Sequence, residues 1–296
     1  MVKSVEEYLE LLKAELKDSD VATIQDALAD AEEHLRTALA NLKQEQPQMS
    51  EEEALGQVVE QYGSAEETAA AYREVERRTH PSPVWERPAQ QYSVLRRFFD
   101  VYNDPKAWGA LLYMLIALLT GIVYFTWVVA GLSLSLSFAI FIFGLLFAVF
   151  FTVSLRGLAF LEGRLVEGLL GVRMPRRAQF FQKGVTWFER LKTNLADKHT
   201  WLTLVYLFLQ LPLGILYFTL VVTLFTLSLG LMAAPLVQSI TSFPLLTIGY
   251  DRYYITGWSS PLFLMAGFLI WTLAMHLGRW IGQLHGRYAK TFLVTE

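Results

Sequence analysis

Polar side chains placed within long apolar runs are the first candidates for chemistry in this sequence. Tyr113 and Tyr124 lie in one such run, and Tyr206, Gln210 and Tyr217 lie in another. Buried hydroxyl and amide groups are unfavourable in a membrane unless they form hydrogen bonds. These groups can therefore either join neighbouring helices or bind a ligand, and both interpretations are open.

Aromatic residues near the end of the second apolar run form another group of candidates. Tyr250, Tyr254 and Trp258 combine apolar faces with polar edges, and Asp251 and Arg252 lie beside them. We predict a lid over a cavity that opens toward the intramembrane polar groups and binds an apolar or amphipathic ligand, such as a lipid or a membrane-active compound. An aromatic belt at the outer membrane surface is the alternative. The predicted ligand-binding residues are Tyr124, Tyr217, Gln210, Tyr250, Tyr254 and Trp258.

Catalytic and metal-binding patterns are missing from the sequence. It has no phosphate-binding glycine loop, no H-E-x-x-H, no G-x-S-x-G and no cysteine. We therefore expect no enzyme activity, no metal and no cofactor. His34 is expected to be a solvated or packed residue rather than a phosphate carrier, and His276 and Arg279 are expected to anchor a helix end. Glu162 and Arg164 are expected to be interfacial charges.

The elements that must position the intramembrane candidates are duplicated. Residues 104–136 and 197–229 agree at 15 of 33 positions at an offset of 93. The run G-I-x-Y-F-T-x-V-V begins at Gly121 and again at Gly214, whereas Gln210 has Ala117 as its counterpart. This pattern predicts two copies of one membrane unit. The unmatched glutamine slightly favours a binding site over a purely structural network.

Composition places the chain in the membrane class. Its 296 residues are 53% apolar, mean hydropathy is +0.33, and residues 107–155 contain no charged side chain. A span needs about 20 apolar residues, which predicts two spans there and two more between 201 and 277. The stretch 230–260 contains prolines and polar residues, so we expect an outer or re-entrant segment rather than a fifth span.

Charge distribution predicts the orientation. Residues 156–198 carry 9 Lys and Arg, whereas residues 230–261 carry only Arg252. The positive-inside rule then predicts that both termini are cytoplasmic and that the chain is a multi-pass protein of the cell membrane. L-x-G-R at 161–164 and again at 284–287 closes the two repeats.

The first 79 residues differ from the rest in charge and pattern. They carry a net charge of −11, against +8 for residues 80–296. S-x-x-E capping boxes start at Ser4, Ser50 and Ser64, and Asp20 can cap a further helix. The chain is therefore predicted to be all-α, with a small cytoplasmic helical bundle and a four-span membrane domain of two parallel repeats.

The predicted domain boundaries follow from these changes in composition. Residues 1–79 form the acidic helical domain, 80–91 form a linker with three prolines, and 92–296 form the membrane domain. Its repeats cover 92–177 and 180–296. Each repeat begins with a predicted amphipathic helix at the membrane surface, at 92–102 and 181–195.

The N-terminal motifs resemble a known signalling module. They are Y-L-x-x-L-x-x-x-L at 8–16, D-A-x-x-H-L at 30–35 and S-E-E-E-A-L-x-x-V-V-x-x-Y-G-S-A-E-E-T-A at 50–69. This segment resembles the HAAS-type signalling domain of bacterial membrane regulators. The resemblance implies a cytoplasmic signalling role.

The membrane motifs resemble a second family. They are D-P-x-x-W-x-x-L-L-Y-x-L from 104, G-I-V-Y-F-T-x-V-V from 121 and G-L-A-x-L-E-x-R-L-V-x-x-L-L-G at 157–171. This region resembles the sensor domain that precedes kinase modules in bacterial histidine kinases. The resemblance implies a multi-span membrane sensor without naming its ligand. Because the chain ends at Glu296, we expect its output to pass through the HAAS-like domain or a separate protein.

Two functions from different classes follow. The first is a membrane sensor or signalling adaptor that relays ligand binding through its cytoplasmic helices to a regulator or kinase. The alternative is an accessory or permease-like subunit of a transporter, with an ABC-type transporter as partner. The expected partners also include the lipid bilayer and a second copy of the chain, but no nucleic acid.

Overall fold

The computed structural model describes residues 2, 4–79, 98–138, 142–176, 192, 196–241, 244, 246–255 and 257–294. The chain divides into two compact units. One comprises Met1–Gln90, Arg173–Thr186 and Leu293–Glu296, and the other comprises Gln91–Val172 and Trp187–Phe292. The predicted linker 80–91 lies outside the described residues, as do nearly all of the predicted surface helix 181–195 and residues 92–97 of its counterpart.

Four helices form most of the first unit. They are α1 (Val5–Glu15), α2 (Val21–Glu45), α3 (Glu51–Tyr62) and α4 (Ala65–Thr79). Capping determines where they start, because side-chain oxygens accept hydrogen bonds from backbone N–H groups that have no partner within the helix. The predicted caps at Ser4, Asp20, Ser50 and Ser64 all form.

The core of this unit lies between the helices. Its buried apolar side chains include Leu12, Leu35 and Leu55, which come from three different helices. Tyr8 is also buried, and its hydroxyl contacts the Gly63 carbonyl oxygen at 2.9 Å and the Thr68 hydroxyl at 3.0 Å. Burial raises the pKa of the Tyr8 hydroxyl. The phenol thus joins α1 to the start of α4 in its neutral form.

Residues 173–176 pack with this helical unit although they follow the second membrane helix in sequence. The Arg173 guanidinium donates to the Asp26 carboxylate on α2 at 2.8 Å, and the Arg176 backbone N–H donates to the same carboxylate at 2.7 Å. Both sides of the Arg173 ion pair are largely buried. Nothing in the local sequence pattern pairs these two positions, which are 147 residues apart.

The second unit contains four helices long and apolar enough to cross a membrane. They are α5 (Pro105–Ser137), α6 (Ile142–Leu165), α7 (Lys198–Thr241) and α8 (Ser260–Leu293). The 3₁₀ helix Asp100–Asn103 precedes α5, and the π-helix Val166–Leu170 extends α6. Within the described part of the chain, the predicted four spans and the all-α class of the membrane domain are confirmed.

The stretch 230–260 contains no fifth candidate span among the described residues, and its outer or re-entrant position stays a prediction. α7 continues without a break to Thr241, with Pro212 and Pro235 inside the helix. A 44-residue helix is about 66 Å long, roughly twice the thickness of the hydrocarbon core. Residues 230–241 therefore continue the helix beyond the length that one crossing needs. The antiparallel hairpin of β1 (Leu246–Ile248) and β2 (Asp251–Tyr253) follows them.

Two glycines allow α5 and α7 to approach each other closely. A Cβ at Gly121 would lie 2.7 Å from the Gln210 carbonyl oxygen, and one at Gly214 would lie 2.4 Å from the Ala117 carbonyl oxygen. Backbone contact of this kind requires residues without side chains at the crossing. The two glycines are 93 residues apart, and so are the two residues that they contact.

Candidate functional site

Glu162 lies at the centre of a buried polar network in the membrane unit. It is on α6, one turn before that helix ends, and its relative exposure is 0%. One carboxylate oxygen, Oε1, accepts from the Tyr113 hydroxyl, from the Tyr206 hydroxyl at 3.0 Å and from Gln210 Nε2 at 3.2 Å. The other oxygen, Oε2, accepts from the Tyr124 hydroxyl at 3.1 Å.

His285 on α8 faces the same tyrosines from the other side. Its Nε2 lies 2.6 Å from the Tyr113 hydroxyl and 3.0 Å from the Tyr206 hydroxyl. Because both hydroxyls donate their hydrogen to Glu162, Nε2 must carry the hydrogen in these contacts. Nδ1 lies 3.1 Å from the Tyr217 hydroxyl. All four membrane helices thus contribute to one hydrogen-bonded cluster.

Helical spacing explains why these side chains meet. Tyr113 and Tyr124 are 11 residues apart on α5, about three turns, so both project from one face. Tyr206 and Tyr217 repeat this spacing on α7, and Gln210 follows Tyr206 by about one turn. The close crossing at the two glycines brings these faces together.

Matching positions of the two similar sequence stretches have matching contacts in the cluster. Tyr113 and Tyr206 both bond to Glu162 and contact His285 Nε2. Glu162 and His285 themselves occupy the same position of the L-x-G-R motif. A carboxylate and an imidazole therefore hold corresponding positions and bond to the same two tyrosines.

Two ion pairs join the starts of helices to arginines on other helices. Asp104 caps α5 by accepting from the Lys106 backbone N–H at 3.0 Å and pairs with Arg279 on α8 at 3.1 Å. Asp197 accepts from the His199 backbone N–H at 3.0 Å and pairs with Arg156 on α6 at 3.6 Å. The anchoring of its own span by Arg279 stays a prediction.

Three of the six predicted site residues meet in the cluster. Tyr124, Gln210 and Tyr217 all bond to Glu162 or His285. Tyr250, Tyr254 and Trp258 are exposed instead, on the hairpin turn and the segment after it.

The hairpin segment is held by the far end of α7. The Gln238 side chain exchanges two hydrogen bonds with the Ile255 backbone, at 2.8 and 2.7 Å. Gln238 lies 28 residues after Gln210, which is about 42 Å along the helix. The six predicted residues therefore fall into two separate groups, and ligand binding by either group stays a prediction.

The expectation that Glu162 is an interfacial charge is wrong, because the residue is fully buried. The sequence did not predict a site role for His285, which is only 2% exposed. The L-x-G-R motif offered the signal. It places Glu162 and His285 at the same position of two matching motifs, so the sequence already indicated that the two residues correspond.

Two polar atoms at the cluster have no hydrogen-bond partner within the described part of the chain. They are Gln210 Oε1 and the Tyr288 hydroxyl, both buried. The Tyr288 ring stacks on Tyr206 with a centroid distance of 5.0 Å and lies 5.6 Å from His285. Buried polar atoms are nearly always satisfied in folded proteins, so these two are the polar atoms of the cluster that the described residues leave unsatisfied.

The other histidines and charges have local partners. His276 Nε2 lies 3.0 Å from the Phe98 carbonyl oxygen, and His34 stacks on Tyr62 at 4.6 Å. Arg164 pairs with Glu167 at 2.7 Å. Among the described residues, no group of three or more His, Asp and Glu side chains could hold a metal ion.

Comparison with known proteins identifies the membrane unit. A family model described as "Putative sensor" matches residues 113–293, which include every side chain of the buried cluster. No curated protein and no solved structure matches the chain. The resemblance of the first 79 residues to a HAAS domain stays a prediction. With well over half of its length matched, the chain belongs to the sensor family.

Proposed function

We propose that the protein is a bacterial membrane sensor that binds an apolar or amphipathic ligand in its membrane unit and relays the bound state to a partner through its N-terminal helices. The sensor family supports a role in sensing or signalling. The relay is inferred from the position of Glu162. This residue lies at the centre of the buried network and on α6, and the segment that follows α6 in the chain contacts α2.

The route from the network to the N-terminal helices is short. The π-helix Val166–Leu170 follows α6, and Gly171 then adopts a left-handed conformation with φ of 68°. Arg173, eleven residues after Glu162, forms the ion pair with Asp26. Single π-helical turns occur frequently at functional sites, and a left-handed glycine allows a sharp change of direction. A change in Glu162 bonding can therefore reach Arg173 along the chain and Asp26 through the ion pair.

A buried hydrogen-bond network can also switch between two arrangements of its bonds. Each hydrogen bond in it is strong in a membrane interior, and loss of one leaves a partner unsatisfied. Ligand binding that breaks one contact must therefore rearrange others. We propose that this rearrangement rotates or shifts the end of α6, and that a cytoplasmic regulator, a kinase or an ABC-type transporter reads the resulting change in the N-terminal helices.

Hydrogen exchange tests the relay without knowledge of the ligand. Tyr113→Phe removes a hydroxyl that bonds to Glu162 and contacts His285, while it keeps the aromatic ring. In the full-length protein in nanodiscs, we expect this change to alter amide exchange in α2 around Asp26. Mass spectrometry of the peptides that cover 21–45 gives the readout.

Ser228→Ala is the matched control. The Ser228 hydroxyl is fully buried and donates to the Gly267 carbonyl oxygen at 2.7 Å, so its loss also breaks a buried hydrogen bond within the membrane unit. It lies outside α6 and the segment that leads to Arg173. Equal changes in α2 exchange for both variants, or no change for Tyr113→Phe, would contradict the relay.

A further inference from the structure

The carboxylate of Glu162 has no ion-pair partner among the described residues. Its four hydrogen-bond donors are three tyrosine hydroxyls and one amide, all of them uncharged groups. His285 is joined to it only through the hydroxyls of Tyr113 and Tyr206. A carboxylate buried in a membrane is strongly unfavourable without a positive charge or a proton, and such residues typically mark functional sites.

The two oxygens of this carboxylate are used unequally. Oε1 accepts three hydrogen bonds, whereas Oε2 accepts only one, from the Tyr124 hydroxyl at 3.1 Å. A carboxylate oxygen can accept two or more bonds, so Oε2 retains capacity for a further donor. That donor would complete the bonding of Glu162 without displacing Tyr113, Tyr206 or Gln210.

Gln210 provides a second acceptor that lacks a donor. Its Nε2 donates to Tyr113 at 2.8 Å and to Glu162 at 3.2 Å, which uses both hydrogens of the amide. Its Oε1 has no hydrogen-bond partner among the residues that the structure describes, and the whole side chain is 0% exposed. The cluster therefore contains one carboxylate oxygen that accepts a single hydrogen bond and one neutral amide oxygen that accepts none from the described residues.

A charged group with several N–H donors would match these two acceptors. We propose that the cluster binds the ammonium group of a protonated hydrophobic amine, with Glu162 Oε2 as its counter-ion and Gln210 Oε1 as its hydrogen-bond acceptor. This proposal rests on the proposed sensor function and specifies the chemical class of its ligand. The alkyl part of such a molecule remains in the bilayer, which surrounds the apolar outer faces of the four helices.

Other ligand classes fit the cluster less well. An anionic head group would be repelled by the carboxylate, and an uncharged hydroxyl would leave the charge of Glu162 without compensation. An ammonium group supplies both the positive charge and more than one N–H group. It would share Oε2 with the Tyr124 hydroxyl, and this shared acceptor gives the site a way to change the hydrogen bonding of α5.

Direct binding measurements with three matched probes test this proposal. Dodecylamine, dodecanol and dodecyl sulfate share one alkyl chain and differ in the charge of the head group. With the full-length protein in phosphatidylcholine nanodiscs, dodecylamine should bind at least about thirtyfold more tightly than the other two. This comparison uses the wild-type protein and so does not depend on the folding of a variant.

Glu162→Gln provides the second arm because it keeps the shape of the side chain and removes the charge. Dodecylamine affinity should fall by about thirtyfold or more, while dodecanol binding should hardly change. Ser228→Ala should retain wild-type dodecylamine affinity. Dodecyltrimethylammonium, which is charged but has no N–H group, should bind more weakly than dodecylamine because it cannot donate to Gln210.

The outcomes separate this proposal from the sensor function. Equal binding of the three head groups, absence of dodecylamine binding, or unchanged dodecylamine affinity in Glu162→Gln would overturn the ammonium site. The relay from Glu162 to α2 is measured without any ligand and would stand in each of those cases. Conversely, tight dodecylamine binding without any effect of Tyr113→Phe on α2 exchange would support the site and contradict the relay.

Discussion

Substitution of Gly214 by alanine should destabilise the membrane unit by separating two helices. A Cβ at this position would lie 2.4 Å from the Ala117 carbonyl oxygen and 2.9 Å from Leu118 Cα, whereas ordinary contact begins at 3.4 Å. Both neighbours are backbone atoms, which cannot turn aside. The helices must therefore separate by about 1 Å, at a cost of about 1–3 kcal/mol.

The same crossing allows a sharper test with Gly121. A Cβ there would meet the Gln210 carbonyl oxygen at 2.7 Å, so Gly121→Ala requires a separation in the same direction. Once the helices have moved apart for one alanine, the second needs little more space. The double variant should therefore be less destabilised than the sum of the two single variants.

Gly230→Ala is the control for both changes. Gly230 lies on the same helix as Gly214, and a Cβ added there meets no atom within 4 Å. Thermal unfolding in one detergent, or unfolding by steric trapping, gives the free-energy differences. If Gly214→Ala is as stable as Gly230→Ala, or if the two single effects add fully, the close glycine crossing is not the packing that holds α5 to α7.

Three further changes test other contacts. Tyr8→Phe should destabilise the N-terminal helices by about 1 kcal/mol, seen as faster hydrogen exchange in α1 and α4, because it removes the hydroxyl from two contacts. Hydrogen bonds from the Ser64 backbone and side chain lower the pKa of Glu67 below its usual value of 4.5. The cap therefore stabilises α4 fully above pH 4.5, and this stabilisation is lost as the pH falls through the lowered pKa of Glu67. Glu67→Gln should remove this pH-dependent change in the amide hydrogen exchange of α4. Asp104→Asn keeps a helix cap but loses the charge paired with Arg279, so thermal unfolding should show a loss of about 1 kcal/mol or less, and a smaller loss than for Asp104→Ala.

The sequence was sufficient for the parts of the fold that depend on local chemistry. The caps at Ser4, Asp20, Ser50 and Ser64 were predictable, because each side chain accepts from a backbone N–H group only a few residues away. The four spans follow from length and hydropathy alone. The end of α7 was harder to predict, because Pro235 in an apolar run suggests a break, whereas the helix tolerates it and continues to Thr241.

The candidate site was only partly predictable, for a physical reason. Tyrosines and a glutamine within apolar runs are unusual enough to be noticed one at a time, and Tyr124, Gln210 and Tyr217 do meet. Glu162 lies beside Arg164 in a motif that ends a span, so its local sequence resembles that of an interfacial charge. Only the packing of four helices shows that its carboxylate points inward. The contact between Asp26 and Arg173 depends on tertiary structure in the same way.

A double-mutant cycle in hydrogen exchange tests the central claim most directly, namely that the bonding state of Glu162 is transmitted to the N-terminal helices through Arg173. The cycle measures exchange of the α2 amides around Asp26 in full-length wild type, Glu162→Gln, Arg173→Ala and the double variant. The account predicts that Glu162→Gln changes α2 exchange when Arg173 is present and has no further effect in the Arg173→Ala background. The same change in both backgrounds, or none in either, would contradict it.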